Sequence, residues 1–163
     1  MKALLTLGAC AALLSVSTVA RAQTRTCFIL TYNGHYLTAV GGGGRIDDVI
    51  HSDATKGSTW ETFKIVESSS VPGTYGIKTL TGNYLTVVDG GGRIEDVIHS
   101  DATKFRDWEE FRLVSLGNGY TALKTYRGNY LTAVSGGGRT TDVIHSDATK
   151  ASTWESFKLN CRN

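Results

Sequence analysis

The nine residues Asp-Val-Ile-His-Ser-Asp-Ala-Thr-Lys occur three times without a change, at 48–56, 96–104 and 142–150. Each copy follows a Gly-x-Tyr-Leu-Thr segment, a glycine run and an arginine, and each precedes a Trp-Glu-x-Phe or Trp-Glu-Glu-Phe segment. The copied histidines, His51, His99 and His145, therefore mark a repeat of nearly fifty residues. A period of that size is a structural unit used three times, and it governs how every single residue is read.

Outward from the repeats, the first 22 residues stand apart. Lys2 gives a short basic start, 3–14 form an almost wholly apolar run, and Ala20-Arg21-Ala22 supplies a small-x-small end. These features predict a secretory signal peptide at 1–22, followed by one domain at 23–163. A lipoprotein signal at Leu7-Gly8-Ala9-Cys10 is the rival, disfavoured because the apolar run continues past the cysteine. The run is too short to cross a bilayer as a helix, so no membrane insertion is expected. Without Lys2 and Arg21 the 17 basic residues balance the 15 acidic ones. A neutral chain lacks the basic surface that nucleic acid or anionic lipid demands, so neither is an expected partner. With the signal removed, Cys27 and Cys161 are the remaining cysteines, at opposite ends of the domain. In an oxidising compartment they are expected to form one disulfide, and the protein to be secreted, either extracellular or periplasmic.

Each unit reads as four short strands punctuated by Gly and Asn. In the first, these fall at 26–32, 35–40, 46–52 and 61–67. In the second they fall at 74–80, 84–88, 94–100 and 110–116, and in the third at 120–126, 129–134, 142–146 and 155–160. The glycine runs, such as 41–44, read as flexible connections that permit positive φ. Three repeats (about 26–67, 74–116 and 120–161), twelve strands and no helix predict an all-β fold, a β-trefoil with pseudo-threefold symmetry. A three-bladed propeller would be too small to close. A trefoil also brings the first and last strands together, as a Cys27 to Cys161 bridge needs.

Alternation places Phe63, Ile65, Phe111, Leu113, Phe157 and Leu159 on the core face, joined by Leu37, Leu85 and Leu131. Tyr36, Tyr84 and Tyr130 have the other parity and read as packing at the barrel ends. If Ile50 and Ser52 face inward, then Val49, His51 and Asp53 share the outer face, and His51 has Asp53 or a ligand as its partner. Asp53, Asp101 and Asp147 read as turn residues whose carboxylates accept backbone N–H groups. For His51, His99 and His145, structural and ligand-contacting roles stay open.

Linkers between the units have diverged in sequence and length, so the polar residues that remain identical are held by turn chemistry or by a site present three times. The strongest candidates are Trp60 with Glu61, Trp108 with Glu109, and Trp154 with Glu155. Strand parity turns the tryptophans away from the core, where an indole face beside a carboxylate suits a sugar ring. The same parity turns the glutamates inward unless a bulge intervenes, and a packed tryptophan over a backbone-bonded glutamate is the structural alternative. Arg45, Arg93 and Arg139 can bridge Asp48, Asp96 and Asp142 or rim a pocket. The third unit carries Thr140-Thr141 where the others carry Ile46-Asp47 and Ile94-Glu95, so any rim there is unequal.

Gly-Asn-Tyr-Leu-Thr-Ala-Val at 128–134, the glycine runs and Trp-Glu-x-Phe at 154–157 resemble the units of fascin-like and ricin-B-like β-trefoils, over essentially the whole of 23–163. The chain is most similar to family 92 carbohydrate-binding modules. That resemblance implies binding of β-glucans through one tryptophan and one glutamate per site, hence Trp60/Glu61, Trp108/Glu109 and Trp154/Glu155. The expected protein is a monomeric, non-catalytic lectin for a polysaccharide or cell-surface glycan, with up to three equivalent sites, no cofactor and no metal. His51, Asp53, His99, Asp101, His145 and Asp147 are secondary contact candidates. A glycosidase would need one asymmetric carboxylate pair, whereas every candidate here occurs three times. The alternatives are a metal-binding trefoil using the His/Asp stretch, or a protease inhibitor using the 67–75 loop.

Overall fold

A computed structural model describes residues 23–162. The expected signal peptide lies outside the described residues.

Twelve strands are present: β1 (Thr24–Leu30), β2 (Tyr36–Ala39), β3 (Ile50–Ala54), β4 (Thr62–Glu67), β5 (Tyr75–Lys78), β6 (Tyr84–Val87), β7 (Ile98–Ala102), β8 (Arg112–Gly117), β9 (Tyr120–Lys124), β10 (Tyr130–Ala133), β11 (Ile144–Ala148) and β12 (Lys158–Arg162). Antiparallel pairing runs β12 to β1, β1 to β4, β4 to β5 and β8 to β9. The bridges Tyr75↔Phe111 and Thr121↔Phe157 join β5 to the start of β8 and β9 to the start of β12. Six strands thus close into a barrel. The remaining strands form three hairpins, β2–β3, β6–β7 and β10–β11, each with the same register shift. This is the β-trefoil.

Phe63, Phe111 and Phe157 are fully buried at equivalent barrel positions, with Ile65, Leu37, Leu85 and Leu131 around them. Leu113 and Leu159 pack against this cluster while partly buried. Tyr36 and Tyr84 pack edge-on or tilted against Phe28 and Phe105, with ring centroids 5.4 and 5.7 Å apart, as the packing reading expects. Cys27 and Cys161 lie opposite one another in the β1/β12 register and form the expected disulfide, S–S 2.02 Å. Among the described residues no helix is long and apolar enough to cross a membrane.

Several expectations change. The third strand of each unit begins later than expected, at Ile50, Ile98 and Ile144, because Asp48, Asp96 and Asp142 take left-handed φ values of 46 to 49° that end any extended run. An aspartate tolerates that conformation better than a branched residue would. In consequence Val49, Val97 and Val143 turn inward and are buried, not outward with the histidines. Asp53, Asp101 and Asp147 lie within β3, β7 and β11, exposed, and are not turn residues.

The glycine runs are docking surfaces, not flexible connectors. Val40–Gly42, Val88–Gly90 and Val134–Gly136 each form a tight turn whose middle residue, Gly41, Asp89 or Ser135, takes a left-handed φ of 57 to 66°, and the β5–β6, β9–β10 or β1–β2 turn of a neighbouring unit sits on it. Thr81 N–H donates to Gly42 O at 3.0 Å, Arg127 N–H to Gly90 O at 3.0 Å, and Asn33 N–H to Gly136 O at 3.1 Å. Gly43 has φ 106° and ψ −172°, and a Cβ there would lie 2.1 Å from Thr79 Oγ1 of the next unit. Only glycine admits both that backbone and that approach.

The invariant serines lock the units in a ring. Arg45 N–H donates to Ser100 Oγ, Arg93 N–H to Ser146 Oγ and Arg139 N–H to Ser52 Oγ, each at 3.1 Å, while the serine N–H groups return to the arginine carbonyls at 2.8 Å. All three serines are fully buried, so identity at this position follows from the symmetry of the packing.

Candidate functional site

Each Trp-Glu pair sits where the chain enters β4, the 3-10 turn Asp107–Glu109, or the approach to β12. The tryptophans face solvent as parity predicts, with Trp60, Trp108 and Trp154 exposed at 46, 44 and 48 %. Each unit thus presents about half of one indole to solvent at the same position.

The glutamates turn the other way. Glu61, Glu109 and Glu155 are buried, and both oxygens of each carboxylate are engaged. Thr38 Oγ1 donates to Glu61 Oε1 at 2.8 Å, and Ser58 N–H to Oε2 at 2.8 Å. Thr86 and Arg106 N–H do the same for Glu109 at 2.6 and 3.0 Å, and Thr132 and Ser152 N–H for Glu155 at 2.7 and 2.8 Å. Each carboxylate thereby ties the second strand of its unit to the loop that carries the tryptophan. An ionised carboxylate has about four acceptor positions, so one protein donor per oxygen leaves capacity unused.

In the second unit the pair opens on a cleft of about 790 Å³, lined by Ala102, Thr103, Lys104, Arg106, Asp107, Trp108 and Glu109. The cleft brings together the end of the invariant stretch and the Trp-Glu pair. Lys104 and Asp107 add charged groups to it, and its size is in the range of small-ligand sites.

A further wall was missed by the sequence reading. A Cβ on Gly90 would lie 3.3 Å from Tyr126 Cδ1 and 3.4 Å from Trp108 Cδ1, so both rings flank one glycine. Gly42 is flanked likewise by Leu80 and Trp60. Tyr32 holds the corresponding position in the remaining unit, where it stacks on Tyr120 at 5.6 Å. Tyr32, Leu80 and Tyr126 are exposed at 46, 53 and 53 %. The signal was present, since each immediately precedes an x-Gly turn (Asn33-Gly34, Thr81-Gly82, Arg127-Gly128), but strand parity alone did not separate it from strand-end packing.

His51, His99 and His145 do not pair with Asp53, Asp101 and Asp147. Their Nε2 atoms lie within hydrogen-bond distance of Asp48, Asp96 and Asp142 Oδ1, at 2.6, 2.7 and 2.6 Å. The same aspartates meet Arg45, Arg93 and Arg139 at 3.6, 3.5 and 3.3 Å. Each Arg-Asp-His set is a partly exposed hairpin brace of small energetic value. Among the described residues no three His, Cys, Asp or Glu side chains converge as a metal-binding group.

No protein-family model and no curated protein matches the chain. Solved structures do. The chain is similar to the designed threefold-symmetric protein ThreeFoil, with TM-score 0.69, 15 % identity, and 83 % of this chain and 97 % of that one covered. It is similar to the Rhizoctonia solani agglutinin, with TM-score 0.69, 12 % identity, and coverages of 86 and 96 %. It is also similar to SeviL, solved with the asialo-GM1 saccharide, with TM-score 0.62, 15 % identity, and coverages of 84 and 97 %. At these identities the likeness establishes the fold: the chain is a β-trefoil with lectin-like structural neighbours.

Proposed function

We propose that the protein is a secreted, non-catalytic lectin that binds polysaccharide through up to three surface sites, each built on Trp60, Trp108 or Trp154. The observation that carries this reading is the exposure of all three indoles at equivalent positions, with Trp108 and Glu109 lining one cleft. A pyranose ring lays its C–H face on the indole, and the unused acceptor positions of Glu61, Glu109 or Glu155 take a hydroxyl at the cleft edge. The glutamate also fixes the tryptophan loop, so the platform is preorganised and little ordering cost falls on binding. Lectin-like neighbours, one bound to a saccharide, support a carbohydrate ligand. The resemblance to family 92 modules supports β-glucan, and the Cys27–Cys161 disulfide supports an extracellular setting. Weak single sites gain avidity on a polymer with repeated epitopes.

Affinity electrophoresis of the mature protein through gels containing β-1,3-glucan, β-1,6-glucan, galactan or no glycan tests this. Retardation by a β-glucan with no release of reducing ends is expected. Unretarded migration in every gel would refute the lectin reading, and reducing-end release would refute its non-catalytic part.

A further inference from the structure

We propose a second kind of binding site, on the pseudo-threefold axis, for an amphipathic cation: a primary ammonium carried on a short apolar chain. Residues 46–50, 94–98 and 140–144 converge there around an open bowl of about 780 Å³. Its floor is apolar, made by Val49, Val97 and Val143 with the isoleucines that follow them. Two of its three walls carry isoleucines held out in solvent, Ile46 at 54 % and Ile94 at 56 % exposure, and the third carries Thr140. None of the three tryptophans lines it, so it is separate from the sugar sites.

The charge of the bowl selects the sign of the occupant. Asp48 and Asp142 are each matched by one arginine, Arg45 and Arg139, while Arg93 is shared between Asp96 and Asp89. Asp47 and Glu95 are exposed, and among the described residues their carboxylates have no hydrogen bond or ion pair. The guanidinium Nε–H groups of Arg45 and Arg93 donate instead to the backbone carbonyls of Asp47 and Glu95, at 3.1 Å each. Lysine and arginine are absent from the lining, so two carboxylates without a direct partner stand beside the two exposed isoleucines. In the third wall Thr140-Thr141 replaces both features at once. Apolar surface and negative charge are thus paired on the same two walls. An alkylammonium satisfies both, whereas a neutral sugar leaves the isoleucines uncovered and an anion meets repulsion.

The test is a titration of the mature, isotope-labelled protein with hexylammonium, followed by backbone amide shifts, with hexanol and methylammonium as controls. Saturable shifts confined to 46–50, 94–98 and 140–144, and largest in the first two, are expected with hexylammonium, and neither control should reproduce them. One exposed ion pair, made with either carboxylate, corresponds to a weakening of about two- to fivefold in Asp47→Asn/Glu95→Gln. Ile46→Thr/Ile94→Thr, which copies the third wall at exposed positions, should weaken binding by a similar factor, and the amide spectrum itself reports that each variant is folded. Equal binding of hexanol, unchanged affinity in the charge variant, or no saturable shift would overturn the proposal. Shifts of the same amides on raising protein concentration without ligand would overturn it too, assigning the bowl to a second copy of the chain.

Discussion

Replacing Gly43 by alanine isolates what holds the units together. The new Cβ would lie 2.1 Å from Thr79 Oγ1 and 2.7 Å from Thr79 Cβ, and Thr79 is 2 % exposed, so it has nowhere to move. Overpacking of this kind costs about 1–3 kcal/mol, and forcing a side chain into the backbone region at φ 106°, ψ −172° adds about 1–3 kcal/mol. A total loss of about 4 kcal/mol follows. Gly44, the next residue, supplies the control: its φ is 81°, but a Cβ there meets nothing within 4 Å. Gly44→Ala should therefore cost only the backbone term, about 1–2 kcal/mol. In urea unfolding followed by tryptophan fluorescence, a difference of 2–3 kcal/mol, estimated from these terms, separates the midpoints by about 1–1.5 M at an m-value of about 2 kcal/mol/M. If both variants unfold at the same midpoint, the glycine run is a connector and not a docking surface.

Thr38→Val removes the hydroxyl that donates to buried Glu61 and should cost about 2 kcal/mol in the same assay, whereas Thr38→Ser should cost less than about 1. A Val variant as stable as the wild type would mean that the hydrogen bond to Glu61 contributes nothing. Replacing both Cys27 and Cys161 by alanine opens a loop with a sequence separation of 134 and should lower unfolding free energy by about 4 kcal/mol, read as a lower urea midpoint. An unchanged midpoint would mean that the β1/β12 pairing already supplies the closure.

Repetition made the fold legible. Three units of four short strands predicted the barrel and its hairpins, and phenylalanines at equal positions predicted the core that Phe63, Phe111 and Phe157 form. Terminal cysteines predicted the bridge across the β1/β12 seam. What sequence did not carry was contact between units. Ser52 meets Arg139, and Gly43 meets Thr79, across spans that no local pattern encodes. The left-handed turn at Asp48 was hidden for another reason: the alternating Ile-x-x-Val-Ile-x-Ser pattern reads as one strand unless an aspartate is allowed to break it. For the site, parity read the exposure of the tryptophans correctly and also the inward turn of the glutamates. It could not show that each carboxylate is already bonded to a threonine and a backbone N–H, because those donors come from a strand 23 residues away and from a tight loop three residues away. The pairing of Trp108 with Tyr126 across Gly90 was beyond it as well, since the two rings belong to different units.

Trp60, Trp108 and Trp154 replaced together by alanine, in a protein whose far-ultraviolet spectrum and urea midpoint match the wild type, would show whether the indoles build the sugar sites. Affinity electrophoresis against whichever β-glucan retards the wild type should show the triple variant migrating as it does without glycan, while each single variant keeps part of the retardation. Retardation of the folded triple variant equal to that of the wild type would contradict the account, because the ligand would then be held by surfaces that the tryptophans do not build.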